Sequence, residues 1–518
     1  MVMRAPTAPR LVYYAFLAAI ALPLVAVLCS PRLRPFLAAV SHDPASFEAE
    51  RNRLRAATPL WNRAVALYNH SLYALGVSGR PGAAVAGRGG WLFLGDVFDN
   101  NFSQAIGRRV LDDREAADWT ETVGREIHWL ASRGIPSAFV VAPAKWSIYP
   151  DRLPWWTRDL KPEHSLDRIL ARGSALPLID VRDVLREARN HADTYSALNS
   201  HWTDFGALVA WQRIASELPR RIPSIGEIRV PTLKSVYVTD EQNEFAGMLN
   251  IDAPNEWTKY ELTQPLSGYA IVNADGTTMP QAGGARTDLL DLPRVTRNEH
   301  APNRLRVLAL RDSSANSLSP FLQDAFYMTY QVDHRLGAPG TWPNLIGLVE
   351  QFHPDVVLWI MTERYLNGPA GDLEYWRAAS DYECADEKPW ATWPDAGGSL
   401  ALRRGADGLE DVVDLRGTIA GPAVIRVKLD ARDDGELTMQ SQHASAAYSR
   451  RVNFSKGISE LFFKLDQVQR NTMLTFKRSP AQGEITNLEI RSGGCLSSSV
   501  SADAGGATTP HATPSVNN

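Results

Sequence analysis

The sequence predicts an α/β domain followed by an antiparallel β-sandwich, and two patterns of apolar residues support this prediction. From about residue 87 to 366, short apolar runs alternate with amphipathic stretches of helical spacing. That alternation predicts parallel strands covered by helices on both faces of one sheet. From about residue 397 to 494, apolar and polar residues alternate with period two between turn residues. This second pattern is typical of sandwich strands.

Four apolar runs are predicted to be the buried strands of the α/β region. They are "SAFVVAP" (137–143), "LPLIDV" (176–181), "LRVLALR" (305–311) and "DVVLWIM" (355–361). Three stretches with apolar residues at helical spacing are predicted to be helices between them. These stretches are "REAADWTETVGREIHWLASRG", "TDFGALVAWQRIASEL" and "NLIGLVEQFHP".

Six segments are predicted to be strands of the sandwich, namely "AVIRVKLDAR", "GELTMQSQ", "RRVNFSK", "SELFFKLDQ", "NTMLTFKRS" and "GEITNLEIRS". After Cys495 the chain is rich in Ser, Ala, Thr and Gly, so it cannot bury a core and is expected to be disordered. The predicted division is a membrane anchor (1–34), a helical linker (35–86), the α/β domain (87–380), the sandwich (381–495) and a disordered tail (496–518).

The N-terminal segment is predicted to anchor the chain in a membrane. Residues 11–29 form a run of 19 residues without a charge, and a helix of that length reaches about 28 Å, close to the thickness of the hydrocarbon core. Arg4 and Arg10 precede the run, so the N-terminus is expected in the cytoplasm and the long remainder on the other side of the membrane, with a single pass. A cleaved signal peptide is the alternative, although the run lacks a small-residue cleavage site.

Composition excludes several function classes. The chain has 518 residues, 22% charged residues and a net charge of −4, which does not indicate a nucleic-acid-binding protein. The sequence holds no H-x-x-x-H or C-x-x-C pair, and no Gly-rich phosphate loop follows a strand, so we expect neither a catalytic metal nor a nucleotide cofactor.

Two of the three cysteines lie outside the predicted anchor. In an oxidising compartment, Cys384 and Cys495 are candidates for a disulfide bond. The alternative is that they are two unrelated thiols.

A serine and a histidine occupy positions suited to nucleophilic catalysis. Ser313 follows the predicted strand 305–311, and parallel sheets hold their sites at the carboxyl ends of strands. Such a serine needs a base to take its proton. His201, in "SALNSHWTDFGA", precedes a predicted helix for which Thr203 is the expected N-cap. The alternative is that Ser313 caps a helix and His201 is structural.

Five segments, in order, resemble motifs of the alginate O-acetyltransferase AlgX/AlgJ family. They are "GRGGWLFLGD" (87–96), "VVAPAKWSIYPDRLP" (140–154), "SHWTDFGA" (200–207), "RDSS" (311–314) and "DVVLWIMTERYL" (355–366). The resemblance implies an SGNH-hydrolase-like, flavodoxin-like parallel sheet domain. The sandwich behind it resembles the carbohydrate-binding module of AlgX-like members.

The resemblance implies that an acetyl group is carried on Ser313 as the nucleophile, with His201 as the general base. Asn199 then stands where the family has the Asp that orients the histidine. An Asn can accept the hydrogen bond of the imidazole, but it cannot offset the imidazolium charge. In a serine protease, the same change lowers turnover by roughly ten-thousand-fold. Asp193 and Asp204 are the nearby carboxylates that could orient His201 instead.

Further positions match the family and are expected to support the site, namely Arg311, Asp312, Lys145 and Arg364. For Lys145 and Arg364, a structural ion pair is the alternative role. The oxyanion is expected to be bound by backbone N–H groups of the nucleophile turn, together with a side chain for which Asn316 is the candidate.

The resemblance therefore implies a periplasmic O-acetyltransferase of a secreted, alginate-like exopolysaccharide, with acetyl groups supplied by a separate multipass membrane acyltransferase. Two alternatives remain open. One is an accessory polysaccharide-binding protein whose catalysis is weakened by Asn199, and the other is a carbohydrate acetylesterase, since the same acyl-enzyme serves both directions.

Overall fold

The computed structural model describes Tyr14, Leu17 and residues 59–172, 176–251, 253–385, 389–394, 400–405, 409–415, 421–443, 446–454, 456–468, 472–479 and 483–492. The predicted anchor lies outside these residues, except for Tyr14 and Leu17, and the predicted disordered tail lies wholly outside them. Within the described part of the chain, no helix has both the length and the apolar character needed to cross a membrane.

The structure contains all three helices that the sequence predicts, at residues 113–132, 204–221 and 345–352. In chain order, the helices are α1 (Pro59–Ala74), α2 (Asn101–Ala105), α3 (Asp113–Ser132), α4 (Lys145–Ile148), α5 (Ser165–Arg172), α6 (Arg182–Ala188), α7 (Asp204–Arg221), α8 (Glu244–Leu249), α9 (Ser319–Ala325), α10 (Leu345–Phe352) and α11 (Leu373–Cys384).

The strands of the first part of the chain form one large sheet and two small hairpins. They are β1 (Ala84–Ala86), β2 (Leu92–Leu94), β3 (Ser137–Ala142), β4 (Leu178–Asp180), β5 (Leu233–Glu241), β6 (Asn255–Leu262), β7 (Tyr269–Val272), β8 (Thr278–Gln281), β9 (Arg294–Arg297), β10 (Asn303–Arg311), β11 (Phe326–Asp333) and β12 (Val356–Thr362). The large sheet has the order β4-β3-β12-β10-β11-β9-β7-β8, while β1 pairs with β2 and β5 with β6.

The large sheet is mixed, which corrects the prediction of a parallel sheet. β4, β3, β12, β10 and β11 pair in parallel in that order, and the first four of them are the predicted strands. At the other edge, β9 pairs antiparallel with β11 and with β7, and β7 pairs antiparallel with β8. β7 and β8 are joined by a tight turn in which Asn273 N–H donates to the Thr277 carbonyl, with Gly276 at φ +81°. Such a short connection forces antiparallel pairing, because a parallel pair needs a long crossover.

Both faces of the parallel part are buried, because alternate residues of each strand enter different cores. In β12, Val357 and Trp359 pack in the core that contains residues of α3, α10 and α11. Leu358 and Ile360 pack in the core that contains residues of α7. A strand buried on both faces is a continuous apolar run, which is the pattern that identified it in the sequence.

The C-terminal region is a sandwich of two antiparallel sheets. Its strands are β13 (Ala391–Trp393), β14 (Leu400–Arg404), β15 (Glu410–Leu415), β16 (Gly421–Ala431), β17 (Gly435–His443), β18 (Ala446–Phe454), β19 (Gly457–Val468), β20 (Met473–Ser479) and β21 (Gly483–Ser492). The sheets have the orders β13-β21-β16-β19 and β14-β15-β20-β17-β18. Phe463 and Phe476 meet between them, with ring centroids 6.2 Å apart. β16 to β21 are the six predicted strands.

Helix α11 joins the sandwich to the α/β domain. The rings of Tyr375 and Tyr382 lie 6.0 and 5.3 Å from that of Phe462 on β19. The Tyr375 hydroxyl donates to the Glu460 carbonyl at 3.0 Å. At the end of α11, Cys384 is disulfide-bonded. Its partner lies outside the described residues, as Cys495 does, so the pairing of these two cysteines stays a prediction.

We predict that Phe462→Ala lowers the free energy of unfolding by about 3 to 5 kcal/mol, because it opens a cavity between α11 and the sandwich. Phe462 is only 4% exposed, whereas Ile458 on the same strand is 58% exposed. Ile458→Ala is therefore the matched control and is expected to change stability by less than about 0.5 kcal/mol. Urea unfolding of both variants measures the difference, and equal losses would show that Phe462 is not part of a packed interface.

Candidate active site

The loop that carries His201 is closed on itself just before helix α7. Tyr195 and Trp202 form an isolated antiparallel bridge, and Thr203 N–H donates to the Thr194 carbonyl at 2.9 Å. The Thr203 hydroxyl then accepts the N–H of Gly206 at 3.1 Å and caps α7, as the sequence predicts. The loop and the first turn of the helix therefore form one rigid unit.

Gly206 allows this unit to close. A Cβ atom at position 206 would lie 2.3 Å from the Thr194 carbonyl oxygen, which is far inside van der Waals contact. The glycine of "SHWTDFGA" is thus explained by the close approach of the helix to the loop backbone.

The candidate nucleophile lies on a tight turn at the end of β10. Ser313 begins a 3₁₀ turn, Ser313–Asn316, which is capped by the Asp312 carboxylate accepting the N–H of Ser314 at 2.7 Å. The buried Trp202 indole donates to the Ser314 carbonyl at 2.8 Å. The residue next to His201 thus bonds to the residue next to Ser313, which fixes the distance between the two loops.

Ser313, His201 and Asn199 form a continuous chain of hydrogen bonds. His201 Nε2 lies 2.8 Å from Ser313 Oγ, and His201 Nδ1 lies 2.9 Å from Asn199 Oδ1. The same Asn199 atom accepts the backbone N–H of His201 at 3.0 Å, so it must be the amide oxygen. An oxygen that only accepts requires the proton on Nδ1, which leaves the lone pair of Nε2 facing the Ser313 hydroxyl. This is the tautomer that a general base needs.

The two carboxylates considered as alternatives to Asn199 are engaged elsewhere. Asp193 accepts the Tyr149 hydroxyl at 3.2 Å. Asp204 pairs with Arg286 at 3.3 Å and accepts the Ser317 hydroxyl at 3.2 Å. The structure therefore places Asn199, and neither of these two, against the imidazole.

Asp312 lies buried beside the site and binds the ends of three strands. Its Oδ1 accepts the N–H and the hydroxyl of Ser314, and its Oδ2 accepts Thr362 N–H at 2.6 Å. His334, just after β11, faces Oδ2 with Nε2 at 3.3 Å, while its Nδ1 accepts Leu336 N–H. Burial raises the pKa of Asp312, but the hydrogen bonds with His334 and Ser314 and the positive charges of His334 and Arg364 outweigh it and hold the pKa well below its usual value. Asp312 is an anion that shapes the turn.

Arg311 is fully buried and supports the same turn from the other side. Its guanidinium donates to Gln331 Oε1 at 3.1 Å, to the Thr287 carbonyl at 2.6 Å and to Asn316 Oδ1. Burial lowers the pKa of Arg311 to about 10. Since the oxygen of Asn316 is held by Arg311, its amide nitrogen is the end that can donate to an oxyanion, and that role stays a prediction.

Lys145 holds the Asn199 loop to the hairpin β1–β2. Its ammonium donates to the carbonyls of Leu92, Ala197 and Asn199 at 2.7, 2.8 and 3.1 Å. It also lies 4.8 Å from the centroid of the Trp91 ring. Burial lowers the pKa of Lys145 well below its usual value. Three carbonyl acceptors give Lys145 a structural position behind Asn199.

Arg364 follows the predicted strand 355–361 and contacts the loop after β2. It forms an ion pair with Asp99 at 3.4 Å and donates to the Tyr365 hydroxyl at 2.7 Å. These contacts agree with the structural role considered for it. Among the described residues, no group of three or more His, Cys, Asp or Glu side chains is arranged to hold a metal ion.

One acidic residue near His201 is not predicted by the sequence. Glu244 is the first residue of α8, and its Oε2 lies 3.7 Å from His201 Nδ1. It accepts the N–H and the hydroxyl of Ser200 at 2.6 and 3.0 Å. Glu244 lies more than forty positions after His201, in a short helix without a motif, so no local signal in the sequence could have joined them.

Comparison with known proteins gives a match that includes His201. Residues 84–290 match a family model described as the SGNH hydrolase-like domain of the acetyltransferase AlgX. The probable alginate O-acetylase AlgJ of Pseudomonas aeruginosa is 29% identical over 178 residues, which are 34% of this chain and 41% of that protein. Over this region the chain is similar to proteins of the AlgX/AlgJ family.

Two further proteins resemble this chain at lower identity. The probable alginate O-acetylase AlgJ of Pseudomonas syringae pv. tomato is 23% identical over 304 residues, or 56% of this chain and 70% of that protein. The solved structure of Pseudomonas aeruginosa AlgX aligns with 83% of this chain and 98% of its own, with 16% identity and a TM-score of 0.49. The chain thus aligns with less than half of the first relative, and the family match ends before Ser313.

We predict that Gly206→Ala slows acylation of Ser313 and destabilises the protein by about 1 to 3 kcal/mol, because the new Cβ displaces the loop that carries His201. Gly124→Ala is the matched control, since a Cβ at this position of α3 meets no atom within 4 Å. It is expected to leave the acylation rate unchanged and to stabilise the helix slightly. Acylation rates and urea unfolding of both variants check this prediction, and an unaffected rate in Gly206→Ala would contradict it.

Glu363, in the "ER" of the fifth motif, gives a prediction about pH. Its carboxylate accepts Ala144 N–H at 2.9 Å and the Ser147 hydroxyl at 2.5 Å. Burial raises its pKa to about 7, from 4.5 for the free side chain. Between these pH values the folded protein keeps a proton that the unfolded chain has released, so this group's contribution to stability is lost as pH rises through that window.

We therefore expect Glu363→Gln to be more stable relative to the parent at pH 8 than at pH 5, by about 3 kcal/mol. Urea unfolding of both proteins at the two pH values measures the difference. Glu187→Gln, at an exposed carboxyl of α6, is the control and should show no such change. A difference that is equal at both pH values for Glu363→Gln would mean that the buried carboxyl does not hold its proton.

Proposed function

We propose that this protein is an O-acetyltransferase that acetylates hydroxyl groups of a secreted, alginate-like polysaccharide. The observation that carries the proposal is the hydrogen-bonded chain from Ser313 through His201 to Asn199, with bonds of 2.8 and 2.9 Å, in a protein that resembles AlgX and AlgJ. The chain of bonds supplies a nucleophile and a base in the correct tautomer, which is the machinery of acyl transfer.

The reaction has two balanced halves. In the first, Ser313 Oγ attacks the carbonyl of an activated acetyl ester, its proton passes to His201 Nε2, and the bond between the carbonyl and the donor breaks as the leaving group takes that proton. In the second, a sugar hydroxyl gives its proton to Nε2 and bonds to the acetyl carbon. Ser313 Oγ then leaves and recovers the proton.

The setting of this reaction is also part of the proposal. The acetyl donor is a multipass membrane acyltransferase, the chain is held in the inner membrane by residues 11–29, and the catalytic domain works in the periplasm. The sandwich binds the polymer. Its packing on α11 through Phe462 supports this role, because the two domains are held as one body on which a long substrate could lie.

The test is the modification of Ser313. We expect the full chain to gain an acetyl group from 4-nitrophenyl acetate, as a mass shift on the peptide that contains Ser313, and Ser313→Ala to lose it completely while unfolding like the parent. Ser216→Ala, at an exposed position of α7, is the control and should acylate normally.

Adding oligosaccharide acceptors then separates the candidate functions. Transfer of the acetyl group to the sugar supports the proposal, and release to water alone favours an acetylesterase. A parent that never forms the acyl-enzyme would favour an accessory binding protein and would overturn the proposed function.

A further inference from the structure

Asn199 cannot offset the positive charge that His201 gains during the proposed reaction. It orients His201 and sets its tautomer, but an amide carries no charge, and the imidazole becomes positive when it takes the Ser313 proton. A carboxylate near Nδ1 would stabilise that charge in the transition state. Such a carboxylate would have to lie on the Nδ1 side of the ring.

Glu244 lies there. Its Oε2 is 3.7 Å from His201 Nδ1, and Ser200 bridges the two residues, with its hydroxyl 3.0 Å from Glu244 Oε1 and 3.5 Å from Nδ1. The Glu244 and His201 side chains are 24% and 29% exposed, so solvent screens their attraction only in part.

The position of Glu244 is fixed by its surroundings. Its backbone N–H donates to the Leu198 carbonyl at 3.1 Å, one residue before Asn199. The next residue, Phe245, is fully buried in a core with Leu198 and the β1–β2 hairpin. Burial raises the pKa of Glu244, but the interactions with His201 and Ser200 outweigh it and lower the pKa to about 2. Glu244 is thus held beside the ring as an anion.

We propose that Glu244 is a positioning residue that supplies the negative charge toward His201, so that Asn199 and Glu244 together do what a single orienting Asp does. This inference rests on the proposed acyl-enzyme chemistry. It follows that Asn199 need not weaken catalysis, because Glu244 on α8 supplies the negative charge that Asn199 lacks.

A purely structural role for Glu244 is the rival explanation, since its carboxylate also accepts the backbone N–H of Ser200 at 2.6 Å. Glu244→Gln separates the two explanations. The amide oxygen of a Gln can still accept this N–H, so the loop keeps its hydrogen bond and only the charge is removed.

The experiment measures the single-turnover rate of Ser313 acetylation by 4-nitrophenyl acetate, which needs no sugar, in the full chain. We expect Glu244→Gln to slow acetylation by about 10- to 100-fold, since a nearby opposite charge shifts such an equilibrium by one to three powers of ten before screening. Asn199→Asp alone should change the rate by less than about tenfold, far from the ten-thousand-fold of an uncompensated change. The double variant Asn199→Asp/Glu244→Gln should regain a rate close to that of the parent, because one carboxylate is again present.

Glu241→Gln is the matched control, because Glu241 pairs with Lys259 on the neighbouring hairpin and should not affect acetylation. An unchanged rate in Glu244→Gln overturns the inference, and so does a slow, well-folded Glu244→Gln that Asn199→Asp fails to rescue. If the parent acetylates Ser313 but never passes the group to a sugar, the proposed function fails while the role of Glu244 stands. A parent that does not acetylate overturns both.

Discussion

The Asp312 carboxylate is the group on which the geometry of the site depends. Its oxygens accept hydrogen bonds from the turn that begins at Ser313, from the last residue of β12 and from His334 after β11. Three neighbouring parallel strands therefore end on one anion. Because the indole of Trp202 binds the same turn through the Ser314 carbonyl, this anion also sets the place of His201.

The acid of a catalytic triad normally does two jobs with one side chain, since it fixes the tautomer of the histidine and offsets its charge. Here the jobs belong to residues on different elements. Asn199 Oδ1 fixes the tautomer from two residues away in the same loop, and Glu244 approaches from α8. The buried ammonium of Lys145 binds the Asn199 carbonyl, so the loop between these groups is held from behind.

The sequence predicted what depends on local pattern. The runs that became β3, β10 and β12 are rich in apolar residues, and the short motifs located Ser313 and His201 at the ends of elements. Glu244, His334 and the strands β7 to β9 were not predicted, because their places depend on contacts between distant parts of the chain. An acidic residue at the start of a short helix carries no mark of the histidine that it will face.

The 2.8 Å contact between His201 Nε2 and Ser313 Oγ joins the base directly to the hydroxyl. In the proposed reaction, the acceptor enters only in the second half, so it takes no part in activating the serine. Under this proposal, the choice between a sugar hydroxyl and water is made after the acetyl group is loaded onto Ser313. The lifetime of acetylated Ser313 would then depend on how well the site is shielded from water. Selectivity for the acceptor would depend more on the proposed polymer-binding surface than on the catalytic residues.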